Sequence, residues 1–301
     1  MSSKSRRGAF SVSRVLVTGA SGFIGRHLVP SLRSAGHEVV PLSRADGDVA
    51  ERSTWATLPR MSSVVHLAAR SFVPDSWHEP GEYMRTNVVG TTYALEYCRV
   101  HAARLVFLSS YMYGDPGRLP IPETAPLVAR NPYALSKRLS EEVCRFHAES
   151  LGVAVTVLRP FNVYGPGQSE PFVVPFLVRQ VNEGAVIHVK DLRPRRDYVH
   201  VSDVVDAITR AMDEASGYRV FNLGSGRSTS VEELIGELQR AAGTNLPVVS
   251  DNERRKDEVM DTVADIGAAR RHLGWEPRVS LHHGLAQLLR DDQAGASRIS
   301  R

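Results

Sequence analysis

The 301-residue sequence is poor in cysteine and has no long apolar segment. Its two cysteines, Cys98 and Cys144, and its eleven histidines are not spaced as metal ligands or as a disulfide framework. No apolar run reaches the length of a membrane-spanning helix, and the first residues lack the apolar core of a signal peptide. These absences predict a cytoplasmic protein with no metal site, no disulfide and no membrane partner.

The charge balance also excludes a class of partner. The net charge is +4 and the isoelectric point about 9.2, but the basic residues are scattered and no nucleic-acid-binding motif is present. The excess of positive charge therefore suits an anionic cofactor and substrate better than a nucleic acid. With 42% apolar and 23% charged residues, the chain can bury the core of one large domain with a smaller lobe.

The first structured segment is predicted to be a strand, a glycine turn and a helix. An apolar run at 15–17 precedes Gly19, Gly22 and Gly25, and an amphipathic segment follows as far as Gly36. Glycines at this spacing permit a tight turn, close approach of a pyrophosphate and tight packing of helix on strand. The pattern predicts a dinucleotide site.

Strands and helices are predicted to alternate through most of the chain. Strand patterns begin near residues 14, 38, 64, 105 and 154, and helix patterns near 23, 82, 133 and 198. This rhythm is typical of a Rossmann-type, doubly wound parallel sheet, an α/β fold in which ligands bind at the carboxyl edge.

Tyr133 and Lys137 are four residues apart on a predicted helix, so both side chains project from one face. A tyrosine normally titrates near pH 10, and an ammonium beside it favours the phenolate. We therefore expect Lys137 to lower the pKa of Tyr133 so that the phenol can act as an acid or base.

These motifs occur in the order found in one protein family. The chain reads TGASGFIG at Thr18, HLAA at His66, NVVGT at Asn87, YALSK at Tyr133, then LRPFNVYGPG, RDYVHVSD, FNLGSG and LGWEP. From Arg14 to about Leu289 it resembles the extended short-chain dehydrogenase/reductases, in particular the branch that acts on nucleotide-diphosphate sugars. The resemblance implies a smaller C-terminal α/β substrate lobe and a homodimer.

The resemblance also implies the division of the chain. Residues 14–164 would form the NAD(P)-binding domain, with 196–225 returning to it, and residues 165–195 and 226–290 the substrate lobe. The polar leader 1–13 and the tail 291–301 are predicted to be disordered.

By resemblance, the catalytic residues are Tyr133, Lys137 and one serine of the pair Ser109 and Ser110. Tyr133 would exchange a proton with the sugar, and Lys137 would bind the nicotinamide ribose. Counting along the strand RLVFLSS favours Ser110, whereas counting back from YGD favours Ser109. We favour Ser110, because a shift of strand register by one residue would reverse every side chain.

The cofactor site that the resemblance implies comprises Gly19, Ser21, Gly22, Phe23, Ile24, Gly25, Ser43, Arg44, Asp48, Val49, Leu67, Ala68, Ala69, Asn87, Tyr133, Lys137, Pro160 and Val163. An acidic residue after the second strand would bind the ribose of NAD, but Ser43 and Arg44 stand there. A guanidinium pairs well with a 2′-phosphate, so NADP(H) is favoured. NAD(H) stays open, because Asp46 or Asp48 could supply a carboxylate. Asp48 and Val49 otherwise resemble the pair that brackets the adenine.

The substrate residues carried over from the family are Ser71, Tyr111, Asn162, Val174, Ile187, His188, Arg196, Arg255 and Glu258. Arg196 and Arg255 would bind the diphosphate, Glu258 a ribose, and Ile187 would lie on the strand beside the nucleobase. One position departs from the family pattern: Phe172 stands about where epimerases have an asparagine on the diphosphate.

Three functions are consistent with the sequence. We favour an NADPH-dependent 4-ketoreductase of a nucleotide-diphosphate 4-keto-(deoxy)hexose. The alternatives are an NAD-dependent 4-epimerase similar to UDP-glucose 4-epimerase, and, more remotely, a non-catalytic dinucleotide-sensing module. A 4,6-dehydratase is disfavoured, because Tyr111 and Met112 stand where such enzymes carry an Asp-Glu pair.

Overall fold

The computed structural model of the protein describes residues 13–214, 217–253 and 258–299. The leader predicted to be disordered therefore lies outside the described residues, apart from Ser13.

The described strands form one six-stranded sheet and three two-stranded ladders. In chain order they are β1 (Arg14–Thr18), β2 (Glu38–Leu42), β3 (Ser63–His66), β4 (Arg104–Leu108), β5 (Val155–Pro160), β6 (Asn162–Tyr164), β7 (Ile187–Val189), β8 (Arg195–Arg196), β9 (Tyr198–His200), β10 (Tyr218–Leu223), β11 (Thr229–Ser230) and β12 (Val248–Ser250).

The helices cover both faces of the large sheet and build the smaller lobe. In chain order they are α1 (Phe23–Ser34), α2 (Arg52–Ala56), α3 (Val73–His78), α4 (Pro80–Tyr83), α5 (Gly90–His101), α6 (Pro132–Leu151), α7 (Val173–Glu183), α8 (Val201–Ala211), α9 (Val231–Ala242), α10 (Gly267–Leu273) and α11 (Leu281–Ile299). A π-helical stretch, Met84–Val89, joins α4 to α5.

The large sheet is parallel, with the strand order β10-β5-β4-β3-β1-β2. The chain runs from β1 outward to β2 and then crosses to β3 on the other side, so the order reverses at β1. Crevices at such a reversal are the usual ligand sites of doubly wound sheets. The predicted fold class is confirmed.

The alternation of side chains along β1 explains how the two faces are covered. Val15 and Val17 belong to one core cluster, which α1 and α8 also enter, whereas Leu16 belongs to another, which includes residues of α5 and α6. All three side chains are fully buried, as expected for a parallel strand between two helical layers.

The smaller lobe has its own core between α7, α9 and α11, with the parallel ladder of β7 and β12 beside it. Asp197 lies where this lobe meets the sheet. Its fully buried carboxylate accepts hydrogen bonds from the backbone of Ser225, Gly226 and Ala264, at 2.6, 3.0 and 3.1 Å. The Asp197 carboxylate thus holds two other parts of the chain, residues 225–226 and residue 264, in place.

The C-terminal tail differs from the expectation of disorder from residue 291. Helix α11 continues to Ile299. Its earlier turns are anchored by the buried Leu285 and Leu289, and adding turns to an existing helix costs little once the helix has been nucleated.

Other expectations concern cysteines, metals and membranes. Cys98 and Cys144 are buried free thiols on α5 and α6. Over the described ranges, no group of three or more His, Cys, Asp or Glu side chains could hold a metal ion. Among the same residues, no helix combines the length and apolarity needed to cross a membrane.

Candidate active site

The glycine turn joins β1 to α1 at the reversal of strand order. Gly19 has a φ of +67°, and a Cβ there would lie 2.8 Å from the backbone nitrogen of Ala68. A Cβ on Gly25 would lie 2.3 Å from the Gly19 carbonyl oxygen, so only glycine lets α1 pack this closely on the turn. Ser21 and Gly22 complete the turn, and backbone at a helix N-terminus suits a pyrophosphate.

The loop after β2 carries the residues that would distinguish the two dinucleotides. The Asp46 carboxylate accepts hydrogen bonds from the backbone and hydroxyl of Ser43, at 2.8 and 2.6 Å. Arg44 is exposed and makes no hydrogen bond with another described residue. Its guanidinium is therefore available for a 2′-phosphate, whereas Asp46 is engaged with Ser43.

Asp48 and Val49 are held in different ways. Arg85 and the backbone nitrogen of Ala50 donate to the Asp48 carboxylate, at 2.7 and 2.9 Å. Hydrogen bonding to Ala50 and Arg85 lowers the pKa of Asp48 despite its partial burial. Val49 is buried, and its carbonyl accepts a bond from the Trp55 indole.

A cavity of about 480 Å³ opens at the carboxyl edge of the sheet beside the glycine turn. The predicted residues that line it come from both halves of the site: Phe23, Ile24, Leu67, Ala69, Ser71, Ser109, Ser110, Tyr111, Tyr133, Lys137, Pro160, Asn162, Val163 and Val174. The structure thus brings most of the predicted cofactor and substrate residues together.

Helix α6 places the catalytic side chains in this cavity. Asn131 caps its N-terminus by accepting a bond from the Ala134 nitrogen at 2.8 Å, and Pro132 occupies the first turn. The order Asn-Pro before a helical pattern is a start signal that could have fixed this boundary from the sequence. Tyr133 and Lys137 follow, one turn apart.

The expected pKa of Tyr133 needs correction. Burial raises the pKa of this phenol to about 12, and the hydrogen bond to Ser110 opposes that shift only in part. The groups that shift the pKa of Tyr133 do not include Lys137, whose ammonium donates to the Leu108 carbonyl at 2.7 Å and lies 4.7 Å from the centre of the Phe107 ring. In this state Tyr133 is a protonated phenol at neutral pH.

The two serines have different surroundings. The Ser110 hydroxyl is hydrogen-bonded to Tyr133. Ser109 is buried, and its hydroxyl has no hydrogen-bond partner among the described residues. Ser110 is therefore the serine placed to act with Tyr133 on a reacting oxygen.

Asn87 and His66 support the site from behind. The Asn87 amide donates to the Arg70 carbonyl and to Ser136 on α6, at 3.0 and 2.8 Å, and so ties the loop after β3 to the catalytic helix. His66 is bonded to Thr18 at 2.8 Å and stacks on Phe107. Burial lowers the pKa of His66 to about 3, so it is a neutral packed side chain.

A second cavity, of about 580 Å³, lies between the sheet and the smaller lobe and contains Asn162, His188, Arg196 and Glu258. Arg196 donates to the Val259 carbonyl at 2.7 Å and forms an ion pair with Glu258. Arg255 lies outside the described residues.

The role expected of Ile187 needs correction. Its side chain is fully buried in the core of the smaller lobe, whereas His188 and Val189 line the second cavity. Alternation along β7 turns Ile187 toward the core and the exposed His188 to the opposite face.

Two side-chain contacts were not predicted from the sequence. Phe72 and Phe172 pack edge to face at 6.0 Å, and Phe172 lines the first cavity. The aromatic ring of Phe172 therefore stands where the family pattern predicts a polar side chain. Arg159 forms a buried ion pair with Glu141 behind the catalytic helix. Both features join residues distant in sequence, so no local pattern indicates them.

Comparison with known proteins agrees with this geometry. Residues 15–224 match the NAD dependent epimerase/dehydratase family. Over 297 residues the chain is 31% identical to GDP-6-deoxy-D-mannose reductase from Pseudomonas aeruginosa, covering 92% of this chain and 96% of that protein.

Solved structures show the same architecture. The UDP-glucose 4-epimerase of Thermotoga maritima with UDP-glucose is similar, with a TM-score of 0.88, 32% identity, and coverage of 94% of this chain and 99% of that one. For RMD from Pseudomonas aeruginosa complexed with NADPH the TM-score is 0.87 and the identity 30%, with coverage of 94% and 100%.

Proposed function

The chain belongs to the NAD dependent epimerase/dehydratase family, and within that family we propose that it is an NADPH-dependent 4-ketoreductase of a nucleotide-diphosphate 4-keto-(deoxy)hexose. That it is an enzyme follows from the family and from its relatives. The observation that carries the proposal is the meeting of Ser110, Tyr133 and Lys137 in one cavity beside the glycine turn.

The residues divide the chemistry between them. When bound, NADPH supplies hydride to the carbonyl carbon. Tyr133 gives its phenolic proton to the carbonyl oxygen, and Ser110 donates a hydrogen bond to that oxygen. Lys137 donates to the Leu108 carbonyl one turn from Tyr133, where its ammonium would hold a ribose hydroxyl of the cofactor. A protonated phenol is the form that a reduction requires at its start.

The cofactor preference rests on the loop after β2. The exposed Arg44 suits a 2′-phosphate, and the Asp46 carboxylate already accepts hydrogen bonds from Ser43. A similar protein of solved structure binds NADPH. NADP(H) is the cofactor we propose, with NAD(H) as the alternative.

The substrate proposal uses both cavities. Arg196 and Arg255 would bind the diphosphate in or beside the second cavity, with Glu258 on the ribose. The sugar would lie in the first cavity, where Met112, Phe172 and Val173 present apolar surface. Apolar side chains suit a sugar with a methyl group at C6 better than one with a hydroxymethyl group.

A second candidate is a UDP-glucose 4-epimerase-like activity. It is supported by the similarity to such an epimerase in complex with UDP-glucose. Epimerisation would have to begin with removal of a proton by Tyr133, and the raised pKa of this phenol makes that first step costly.

One experiment separates the two functions. Purified protein is incubated with NADPH and GDP-, dTDP- or UDP-4-keto-6-deoxyhexoses, and loss of NADPH absorbance is followed; in parallel, UDP-glucose is tested for conversion to UDP-galactose. We expect the wild type to oxidise one NADPH for each 4-keto sugar that it reduces. The rate should fall roughly 10²- to 10⁴-fold in Tyr133→Phe. Conversion of UDP-glucose without net cofactor consumption would instead establish the epimerase.

We also propose a homodimer, for which exposed apolar residues on two adjacent helices provide the support. Val100 on α5 and Phe146 on α6 are 71% and 57% exposed. The cytoplasmic location stays a prediction.

A further inference from the structure

The catalytic helix carries a buried cation with no carboxylate bonded to it. Lys137 is only 4% exposed, and its ammonium donates to a neutral acceptor, the Leu108 carbonyl, at 2.7 Å. Burial lowers the pKa of Lys137 to about 8, and the charge of Glu141 is the strongest influence that opposes this shift. A cation in such a place needs a compensating negative charge to stay protonated.

The other titratable groups around Lys137 do not supply that charge. His66 on β3 is neutral, and burial raises the pKa of the thiols of Cys144 on α6 and Cys98 on α5. Burial likewise raises the pKa of the phenols of Tyr133 on α6 and Tyr218 on β10. The remaining charged groups are Glu141, one turn after Lys137, and its partner Arg159 on β5.

Glu141 is fixed by a nearly ideal ion pair. Arg159 Nε lies 3.0 and 3.1 Å from the two carboxylate oxygens, and Nη2 lies 2.5 Å from one of them. Both side chains are almost fully buried, at 6% and 3% exposure. Tyr113 and the Glu123 carbonyl accept the remaining N–H groups of Arg159 at 2.9 and 3.0 Å.

Buried ion pairs can often be replaced by apolar residues without loss of stability, so stability alone does not explain the pairing of Arg159 with Glu141. We propose that Glu141 is the counter-ion that keeps Lys137 protonated, and that Arg159 holds the Glu141 carboxylate in position for that role. Glu141 and Arg159 are positioning residues that act through Lys137. The inference rests on the proposed function only for the catalytic use of Lys137.

The ionisation of Lys137 can be measured without activity. The chain has only four lysines, Lys4, Lys137, Lys190 and Lys256, so the signals of ¹⁵N-labelled lysine side chains can be resolved by NMR and assigned with Lys137→Arg. In Glu141→Gln we expect the pKa of Lys137 to fall by about one unit or more in the free protein. The matched control is Glu142→Gln, which removes the neighbouring, exposed carboxylate that pairs with Arg138, and should leave that pKa unchanged.

Glu141→Gln leaves a buried guanidinium without its charged partner and could prevent folding. The double variant Glu141→Leu/Arg159→Met removes both charges and should fold, with a pKa of Lys137 that is also lowered. An unchanged pKa in both variants, or in the double variant where the single one does not fold, would overturn the proposal.

A second readout separates this inference from the proposed function. If the wild type reduces a 4-keto sugar, the alkaline limb of its kcat/KM profile should move to lower pH in Glu141→Gln by the amount seen by NMR. If the pKa of Lys137 falls in Glu141→Gln but the alkaline limb stays at the wild-type pH, the claim that Glu141 acts on catalysis through Lys137 is wrong. If the pKa of Lys137 falls but the wild type reduces no 4-keto sugar, Glu141 is still the counter-ion of Lys137, and the proposed function is wrong.

Discussion

Ser109 and Ser110 are adjacent, yet only Ser110 is hydrogen-bonded to Tyr133. Ser110→Ala removes a donor from the developing oxyanion, and such donors contribute roughly 10²- to 10³-fold to kcat. Ser109→Ala is the matched control and should change kcat by less than about threefold, because its hydroxyl bonds to nothing the structure describes. Steady-state kinetics of both variants gives the ranking, and a larger loss in Ser109→Ala would assign the catalytic role to that residue instead.

Arg44 gives a second prediction for a single residue. Arg44→Asp should weaken NADPH binding roughly 10- to 100-fold, because one charge-assisted bond to the 2′-phosphate is lost, and should leave NADH binding equal or tighter. Calorimetric titration of both cofactors measures the ratio. Arg52→Asp, with the same change of charge on the exposed start of α2, controls for long-range electrostatics. Wild-type protein that binds NADH as tightly as NADPH would contradict the prediction.

Residue identities at the site could be read from the sequence better than their protonation states could. Tyr133 and Lys137 were found from their spacing alone, but the pKa of Tyr133 was expected to fall and instead rises. The sign depends on burial by β4 and by the loops around the cavity, and on the Leu108 carbonyl that takes the lysine ammonium. Such environments come from residues distant in sequence, so spacing on one helix does not contain them.

At the scale of the element, α8 shows how one side chain can fix a neighbouring segment. Asp203 is only 4% exposed, and its carboxylate accepts hydrogen bonds from the backbone nitrogens of Arg278 and Val279, both at 3.1 Å. It thereby ties the segment before α11 to α8. The sequence could not distinguish Asp203 from Asp206, since both look like polar positions on one helix.

Asp203→Ala should lower the free energy of unfolding by about 2–4 kcal/mol, since two backbone donors lose a charged acceptor. Asp206→Ala serves as the control, because it breaks a partly exposed i,i+4 pair with Arg210 worth about 0.5 kcal/mol or less. Urea unfolding of the two variants measures both values. Equal losses would show that the Asp203 bonds contribute no more than a surface ion pair does.

The elements themselves followed closely from local patterns in the nucleotide-binding half. Strands predicted near 14, 38, 64, 105 and 154 are β1 to β5, and they begin within one residue of those positions. They are short, apolar and separated by helical patterns, which is the signal that sequence periodicity carries best. The ladders β6–β9, β7–β12 and β8–β11 are two or three residues long and join distant segments, so no periodicity reveals them.

At the scale of the whole molecule, exposed apolar side chains provide a candidate interface for the proposed homodimer. Val89, Tyr93 and Val100 have the same spacing along one helical face as Leu135, Leu139 and Phe146 on α6, and both faces include partly or fully exposed positions. The two helices are neighbours, so these faces form one candidate surface. Exposed apolar surface of this kind marks an interaction site.

The proposed dimer gives the last prediction. Val100→Asp and Phe146→Asp each place a charge where a second copy would bury an apolar side chain, and central contacts of this type contribute about 2 kcal/mol or more, or roughly a 30-fold change in Kd. Sedimentation equilibrium should therefore show a dimer for the wild type and a shift toward monomer for both variants. Trp77→Asp is the control, because Trp77 is 62% exposed on α3 and belongs to neither of these faces. A monomeric wild type would refute the dimer, and dissociation caused by Trp77→Asp alone would place the interface on α3. Residues from both halves of one chain line the first cavity, so the monomeric variants should retain NADPH affinity.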